Sequence, residues 1–502
     1  MKKNTIYILL LLCYLTNIKS QVTLPLHDFF QLPGWQDNGS IKPVIHPLSL
    51  QQKDSLLLFS VTQKKSGNTN WFIRKLQNEH FATVRTPDFE LNISPLFILD
   101  LGKDSEQDNY IYRNTRGIFL EATLRNKIGF WSTFHENQSR LPHHVAQFSD
   151  FYGIIPGQGL HKPFNETGYD FAWSEAMVYF TLFQKLSVQF GQGKRFVGNG
   201  YRSMLYSDNS FSYPHLALQF NHQKFQYATW FTSFMNPDLP DPSIIINHHW
   251  QRKAGVFHYL TYSISEQLEL GLFEGNIISS RTAKGKYEFN AAHYNPIIFI
   301  NGFDQKIHNI TGLNAHFNYQ DFMLYGQYVV NPLDTRKWGM QTGIKYDHIS
   351  ATNRYYALAE WNKSEKGLYT FSDTILSYTH FSQPLAHPLG ENFSEFVFKA
   401  TVRRKRFESS YKFNYALSSS DTTGYLPGLN LFLPSDQQLE TKDHTTRNIH
   451  EFSVSYILNP QYNMRFTVGA LLRNFNYNGN ETKSSYVYVS FRTVIFARYY
   501  DF

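Results

Sequence analysis

Residues 451–473 read EFSVSYILNPQYNMRFTVGALLR. In Glu451–Leu458, Phe452, Val454, Tyr456 and Leu458 alternate with Glu451, Ser453 and Ser455. In Met464–Arg473, Met464, Phe466, Val468, Ala470 and Leu472 alternate with Arg465, Thr467, Gly469 and Arg473. Asn459-Pro460-Gln461 sits between them. Period-two alternation across a short polar turn is a β-hairpin with one apolar and one wet face. Glu395–Arg403 repeats the pattern, with Phe396, Phe398, Ala400 and Val402 against Glu395, Lys399, Thr401 and Arg403. If the apolar face meets lipid, an Arg or Lys there would cost about 2–4 kcal/mol at mid-bilayer. The charged face therefore points into a lumen or lies near an interface.

Composition agrees. Aromatic residues make up 17% of 502 residues, with 44 Phe and 33 Tyr, yet mean hydropathy is −0.40. A transmembrane barrel combines these, because aromatic girdles flank a lipid face while the opposite face is polar. No run after the N-terminus is long and apolar enough for a membrane helix. Residues 1–20 have a basic start (Lys2, Lys3) and an apolar stretch Ile6–Leu15, the layout of a secretory signal peptide. Cys13 lies inside that stretch and is the single cysteine, so disulfides are excluded from the exported chain. The net charge is +7, of which Lys2, Lys3 and Lys19 contribute three, leaving +4. That balance and export argue against a nucleic-acid partner.

Residues 21–88 form a periplasmic N-terminal segment with two short helices expected at Ser49–Phe59 and Asn70–His80. The barrel occupies 89–502. Short turns such as Arg125-Asn126-Lys127, His222-Gln223-Lys224, Gln320-Asp321 and Arg404-Lys405 join strands in pairs, and longer segments separate the pairs. Outer-membrane barrels have short periplasmic turns, long outer loops and an even strand number. Counting Phe371–Ser382 as a strand gives nineteen and inverts the rhythm. Reading Gly367–Gly390 as one long outer loop restores it. The expectation is an all-β, transmembrane antiparallel β-barrel of about 18 strands. They lie near 89–101, 110–124, 128–137, 170–183, 186–196, 213–221, 225–234, 253–263, 267–279, 311–319, 322–331, 338–347, 353–366, 391–403, 406–417, 449–458, 462–475 and 485–502. The last, ending on Phe502, suits a signal for the barrel-assembly machinery. A soluble sandwich would leave this much alternating apolar surface exposed.

Three polar, Gly- or Pro-bearing stretches fall on the outer side: 196–215 (FVGNGYRSMLYSDNSFSYPH), 290–304 (NAAHYNPIIFINGFD) and 378–393 (YTHFSQPLAHPLGENF). Loops of this composition are expected to fold inward and carry function. The candidate polysaccharide-binding residues are Tyr201, Arg202, Tyr206, Asp208, Asn209, His215, His293, Tyr294, Asn295, Asp304, His387, Asn392 and Phe393. Amide, acid and Arg groups bond sugar hydroxyls, and aromatic faces cover the C–H side of the ring. The plainer reading of Arg202 and Asp208 is a structural ion pair pinning a constriction loop. Gly198-Asn199-Gly200 lacks the following helix of a dinucleotide site. His143-His144 and His248-His249 are adjacent pairs, which point apart on a strand and offer no metal site. No cofactor is expected. A Ser/His assembly can be drawn from Ser203, Ser207 and several histidines, but no nucleophile elbow supports it.

These stretches resemble the Bacteroidetes branch of the capsule-assembly Wzi family, whose members are described as RemB-like gliding-motility proteins. The resemblance runs from about Trp71 to Phe502. It implies an outer-membrane barrel of about eighteen strands in a Gram-negative cell, embedded among lipid and lipopolysaccharide. The role it implies is non-enzymatic: holding capsular or other exopolysaccharide, or serving gliding or adhesion. The family's capsule-attaching members close the periplasmic end with a helical bundle, for which residues 21–87 have little room. A pore or substrate channel is the main alternative, and an outer-membrane hydrolase the second.

Overall fold

In the computed structural model the described residues are 45–46, 70–125, 127–183, 185–236, 251–279, 291–301, 306–350, 352–419, 426–433, 445–493 and 499–502. Eighteen antiparallel strands close into a barrel. They are β1 Phe89–Asp104, β2 Tyr110–Leu124, β3 Ile128–Arg140, β4 Gly168–Leu182, β5 Leu186–Gly193 and β6 Tyr213–His222. Next come β7 Phe225–Asn236, β8 Gln251–Ser263, β9 Leu268–Ser279, β10 His308–Tyr319, β11 Phe322–Asn331 and β12 Asp334–Ser350. The ring is completed by β13 Asn353–Ser364, β14 Phe393–Arg404, β15 Phe407–Ser418, β16 Thr445–Asn459, β17 Met464–Tyr477 and β18 Asn480–Thr493. Each expected strand has its counterpart. Every neighbour in sequence is a neighbour in the ring, and β18 closes on β1 through Tyr486↔Asp104 to Arg492↔Ile98. No described helix is long and apolar enough to cross a membrane.

Alternation decides which side chains meet lipid. Val454, Val468 and Val489 stand side by side across β16, β17 and β18, and Leu101 of β1 continues the row. All four are at least 44% exposed. Aromatic pairs girdle the short-turn end: Phe225–Tyr262, Phe322–Tyr346 and Phe407–Tyr456, with ring centroids 4.7–5.0 Å apart. Val468→Arg is expected to cost about 2–4 kcal/mol, read by folding titration into lipid vesicles. An unchanged folding free energy would contradict the assigned face.

Two connections at the long-loop end are tight turns. In Asn478-Gly479 both residues have positive φ, 51° and 82°. That conformation matches the twist of a two-residue hairpin and is why Asn-Gly occupies it. By contrast, Gly367–Gly390 contains no barrel strand but a short 3-10 turn at Thr374–Leu376 and a small hairpin of Thr379–His380 with Gln383–Pro384.

The expected helix at Asn70–His80 is observed as α1, Trp71–Gln77, capped by the Asn70 side chain on the Phe72 and Ile73 amides. It sits at the short-turn end, where Asn459 Nδ2 donates to the carbonyls of Lys75 and Glu79 at 2.8 and 2.9 Å. The stretch 49–59 lies outside the described residues. Ile45–His46 pairs with Phe196–Val197, so this part of the N-terminal segment reaches into the barrel instead of lying beneath it.

The end of the chain differs from expectation. β18 stops at Thr493, and Phe502 is buried in the lumen at 4% exposure. Lower on the same edge of β1, Glu90–Ile93 pair with a short strand, Ala82–Arg85. The Phe502 end is therefore not the edge of a barrel strand.

Candidate functional site

The stretch 196–215 does not project over the mouth. It folds into the barrel and becomes its centre, with Arg202, Ser203, Met204, Leu205 and Tyr206 all at 1% exposure or less. Inward-facing strand residues grip its backbone. Glu360 on β13 accepts from the amides of Tyr201 (2.8 Å) and Arg202 (3.1 Å). Gln341 on β12 donates to Arg202 O at 2.8 Å. Gln327 on β11 accepts from Met204 N at 2.8 Å and donates to Val197 O at 3.0 Å. The approach is close enough that a Cβ on Gly200 would lie 2.3 Å from Glu360 Oε2.

Arg202 is the hub of a buried charge cluster. Its guanidinium meets Glu395 of β14 at 3.0 Å and Asp501 at 3.3 Å. The pairing with Asp208 expected from sequence is replaced by these two, and Asp208 instead accepts from Tyr499 Oη at 2.8 Å. Lys412 of β15 bonds Asp501 (3.1 Å) and Glu451 (2.7 Å). Tyr201 Oη donates to Asp501 at 2.7 Å. Burial raises the Asp501 carboxyl, but the Arg202 and Lys412 charges outweigh it and hold the group well below the usual carboxylate range.

The third candidate stretch converges on the first. Ser207 N donates to Leu385 O at 2.7 Å, Tyr378 Oη to Leu205 O at 2.9 Å, and Asn209 Nδ2 to Pro384 O at 3.3 Å. Glu391 closes the loop's own turn by accepting from the amides of Gly367, Tyr369 and Thr370. Tyr206 is fully buried among Tyr213, Trp230, Phe257 and Tyr378. His215 faces the lumen, near Tyr213 O at 3.3 Å. Asn392 takes positive φ, 58°, just before β14. Phe393 stacks on His387 with ring centroids 4.1 Å apart.

The second stretch does the opposite of what was expected. Residues 291–301 lie against the outer wall. Phe299 N donates to Glu274 (2.6 Å), Tyr227 Oη to Pro296 O (2.6 Å), and Tyr294 packs near Phe231. Phe231, His258, Glu274 and Asn309 share the parity of exposed Leu216 and Leu313. Left bare on a lipid face, the polar groups of His258, Glu274 and Asn309 would be costly. The strap covers them and turns Ile297 and Ile300 outward, at 57% and 58% exposure. His293 and Asn295 belong to this strap and not to the mouth: His293 O accepts from Asn301, and Asn295 bonds within it. Asp304 lies outside the described residues.

An acid–imidazole pair is present. His387 Nε2 lies 2.8 Å from Glu395, and His387 Nδ1 accepts from Leu389 N at 3.1 Å. The imidazole thus donates to Glu395 through Nε2, and its one acceptor nitrogen is already used. Both side chains are at most 1% exposed. A general base needs a free lone pair within reach of a substrate proton, and this imidazole has neither. Among the described residues no group of His, Cys, Asp and Glu is placed to hold a metal.

Sequence reasoning missed the cap helix α2, His143–Tyr152, and the inward return of Tyr499–Phe502. His144 Nε2 bonds Tyr500 O at 2.9 Å, and Phe502 packs on Phe148 at 5.2 Å. The charged lumen parity of Glu395 was legible; its partners, far apart in sequence, were not. Beside the returned segment lies a cavity of about 210 Å³, lined by Asp100, Arg113, Lys412, Tyr486, Tyr488 and Asp501 among others.

Burial keeps the imidazoles of these loops neutral. It pushes His144 and His380 down to about 3, and it lowers His387 despite the neighbouring Glu395. Below pH about 6.5 the unfolded chain binds protons that the folded chain does not. Stability is then present in full above about 6.5 and falls as pH drops, by up to about 1.4 kcal/mol per unit for each imidazole. The melting temperature is expected to be flat from pH 7 upward and to decline between about 6.5 and 4, less steeply in His144→Gln. A flat profile through that window would contradict neutral burial.

Among solved structures, Wzi of Escherichia coli, an outer-membrane protein involved in group 1 capsule assembly and a carbohydrate-binding β-barrel, aligns with 94% of this chain and 99% of its own, at a TM-score of 0.56 and 13% identity. This chain has a Wzi-like fold. The outer-membrane protein OpdK of Pseudomonas aeruginosa aligns less well, with 80% of this chain, 98% of its own, TM-score 0.44 and 8% identity. No protein-family model and no curated protein matches the chain. The Wzi-like barrel encloses the Arg202 cluster and the two inward loops described above.

Proposed function

We propose that the protein is a non-enzymatic outer-membrane barrel that holds surface polysaccharide, capsular or exopolymeric, at the cell, with its long loops outside and α1 in the periplasm. The carrying observation is the filled lumen. Loops 194–212 and 365–392, with α2 and residues 426–432, pack into one buried aromatic and aliphatic cluster where a channel would need water. Porins keep their lumen open. In this reading Tyr201, Arg202, Tyr206, Asp208, Asn209, His215, His387, Asn392 and Phe393 build a rigid frame. Polymer contact falls to the accessible long-loop surface between β3 and β4, where Phe151, Leu160, Lys162, Asn165 and Glu166 are all exposed. An aromatic face and amide and charged groups on one accessible loop are the residue types a sugar ring requires.

The gliding or adhesive role of the RemB-like branch follows from the same act of holding polymer. Glycan-array binding by the purified barrel is the direct test. Phe151→Ala with Asn165→Ala is expected to weaken binding without changing the melting temperature. Loss of the gene is expected to release polysaccharide or slow spreading. No glycan bound, with retention and spreading unchanged, would refute the reading, and steady ion conductance in planar bilayers would favour a channel.

A further inference from the structure

The residues around Asp501 form a receptor for a carboxylate. Asp501 Oδ2 receives Tyr201 Oη at 2.7 Å, Lys412 Nζ at 3.1 Å and an Arg202 nitrogen at 3.3 Å, and Oδ1 receives Arg202 Nη1 at 3.3 Å. Donors from a lumen loop and a barrel strand converge on one group, which is how a charged carboxylate is held strongly. The barrel positions this seat without help from its occupant. Arg202 is fixed by Glu395 and through its backbone by Glu360 and Gln341; Lys412 lies on β15 beside Glu451.

The occupant, in contrast, belongs to no barrel strand. Residues 499–502 come after β18 ends at Thr493 and are held like a ligand, mainly by side chains. Tyr499 reaches Asp208, Tyr500 meets Arg113, Gln158 and His144, and Phe502 seats on Phe148. The cavity of about 210 Å³ touches Lys412, Tyr500 and Asp501 and is walled by Arg113, Tyr486 and Tyr488. Withdrawal of Tyr500 and Asp501 would merge it with the seat, leaving an aromatic-walled pocket with a carboxylate-binding end.

We propose that Tyr201, Arg202 and Lys412 form a binding site for a carboxylate-bearing ligand, occupied in the resting protein by Asp501 of its own segment Tyr499–Phe502. The segment is a built-in competitor. The ligand class is a carboxylate on a polar ring, as in a uronic acid. This inference rests on the lumen geometry and not on the polysaccharide reading, and the two tests are separate.

The test is chemical rescue in the full-length protein. Asp501→Ala is expected to lower the melting temperature, and formate is expected to restore part of the loss where chloride at equal concentration does not. Deletion of residues 499–502 is expected to open the pocket to D-glucuronate, seen as a rise in melting temperature and as saturation-transfer NMR signal, with D-glucose inactive. Adding Lys412→Met to the deletion is expected to abolish the glucuronate response. The intact protein is expected to respond to none of these probes. The proposal is overturned if neither variant responds to its carboxylate, if chloride or glucose serves equally well, or if the intact protein responds as strongly as the variants. Should the deletion not fold, the Asp501→Ala arm decides alone.

Discussion

Arg202→Ala is expected to destabilise the protein by about 3–5 kcal/mol, the usual cost of removing one partner from a buried ionic cluster. The guanidinium is 1% exposed and contacts the carboxylates of Glu395 and Asp501, which are equally buried. Without it, Asp501 retains Lys412 and Tyr201, while Glu395 keeps Asn362, Asn414 and His387. Those partners supply less positive charge to an interior that penalises unpaired anions. The cation also stands over the rings of Tyr201 and Tyr499, at 4.8 and 5.4 Å, so both the inward loop and the returned segment lose a shared anchor. Thermal unfolding in detergent measures the cost. A variant within 1 kcal/mol of the parent, roughly the worth of a surface ion pair, would show that the cluster does not hold the lumen together.

Trp230→Ala separates a filled barrel from an open one. Trp230 points inward from β7 and is fully buried. It lies parallel to Phe257 with ring centroids 5.4 Å apart, and the Arg195 guanidinium sits 5.2 Å from its ring. Truncating a packed Trp leaves a void that the surroundings close only in part, and the expected loss is about 3–5 kcal/mol. In a water-filled lumen the same change would exchange a wetted ring for water at little cost. A near-neutral result by denaturant titration would therefore count against the packed interior and, with it, against the polymer-holding role.

The wall of this barrel was legible because a strand's periodicity is local. Val454 and Val468 announce their face within a few residues of themselves, and turns such as Arg404-Lys405 mark where the chain reverses. Loop parity fixed the number eighteen because each hairpin must return to the same rim. The interior was not legible for the converse reason. Arg202 is a lone cation in its stretch, and the carboxylates that neutralise it lie 193 and 299 residues away. Stretch 290–304 has the same mixture of Gly, Pro, amide and aromatic residues as stretch 196–215, yet its described part, 291–301, lies on the wall and the other fills the centre. Composition marked both as loops with polar work to do. The direction each folds depends on what the strands offer: Glu360, Gln341 and Gln327 on the inside, Glu274 and Asn309 on the outside. The final strand misled because Val487 and Val489 alternate properly. Nothing in the sequence of Tyr499–Phe502 announces that it turns into the lumen against Phe148.

The strap at 291–301 has a consequence for how the molecule sits among its neighbours. On β16, β17, β18 and β1 the outward side chains, such as Val454, Val468, Val489 and Leu101, are exposed among the described residues. Over β7–β10 the bilayer meets a second layer, whose Ile297 and Ile300 extend the apolar surface outward. Such a barrel is not rotationally equivalent about its axis: it has a front and a back in the plane of the sheet of lipid, and lateral neighbours would distinguish them.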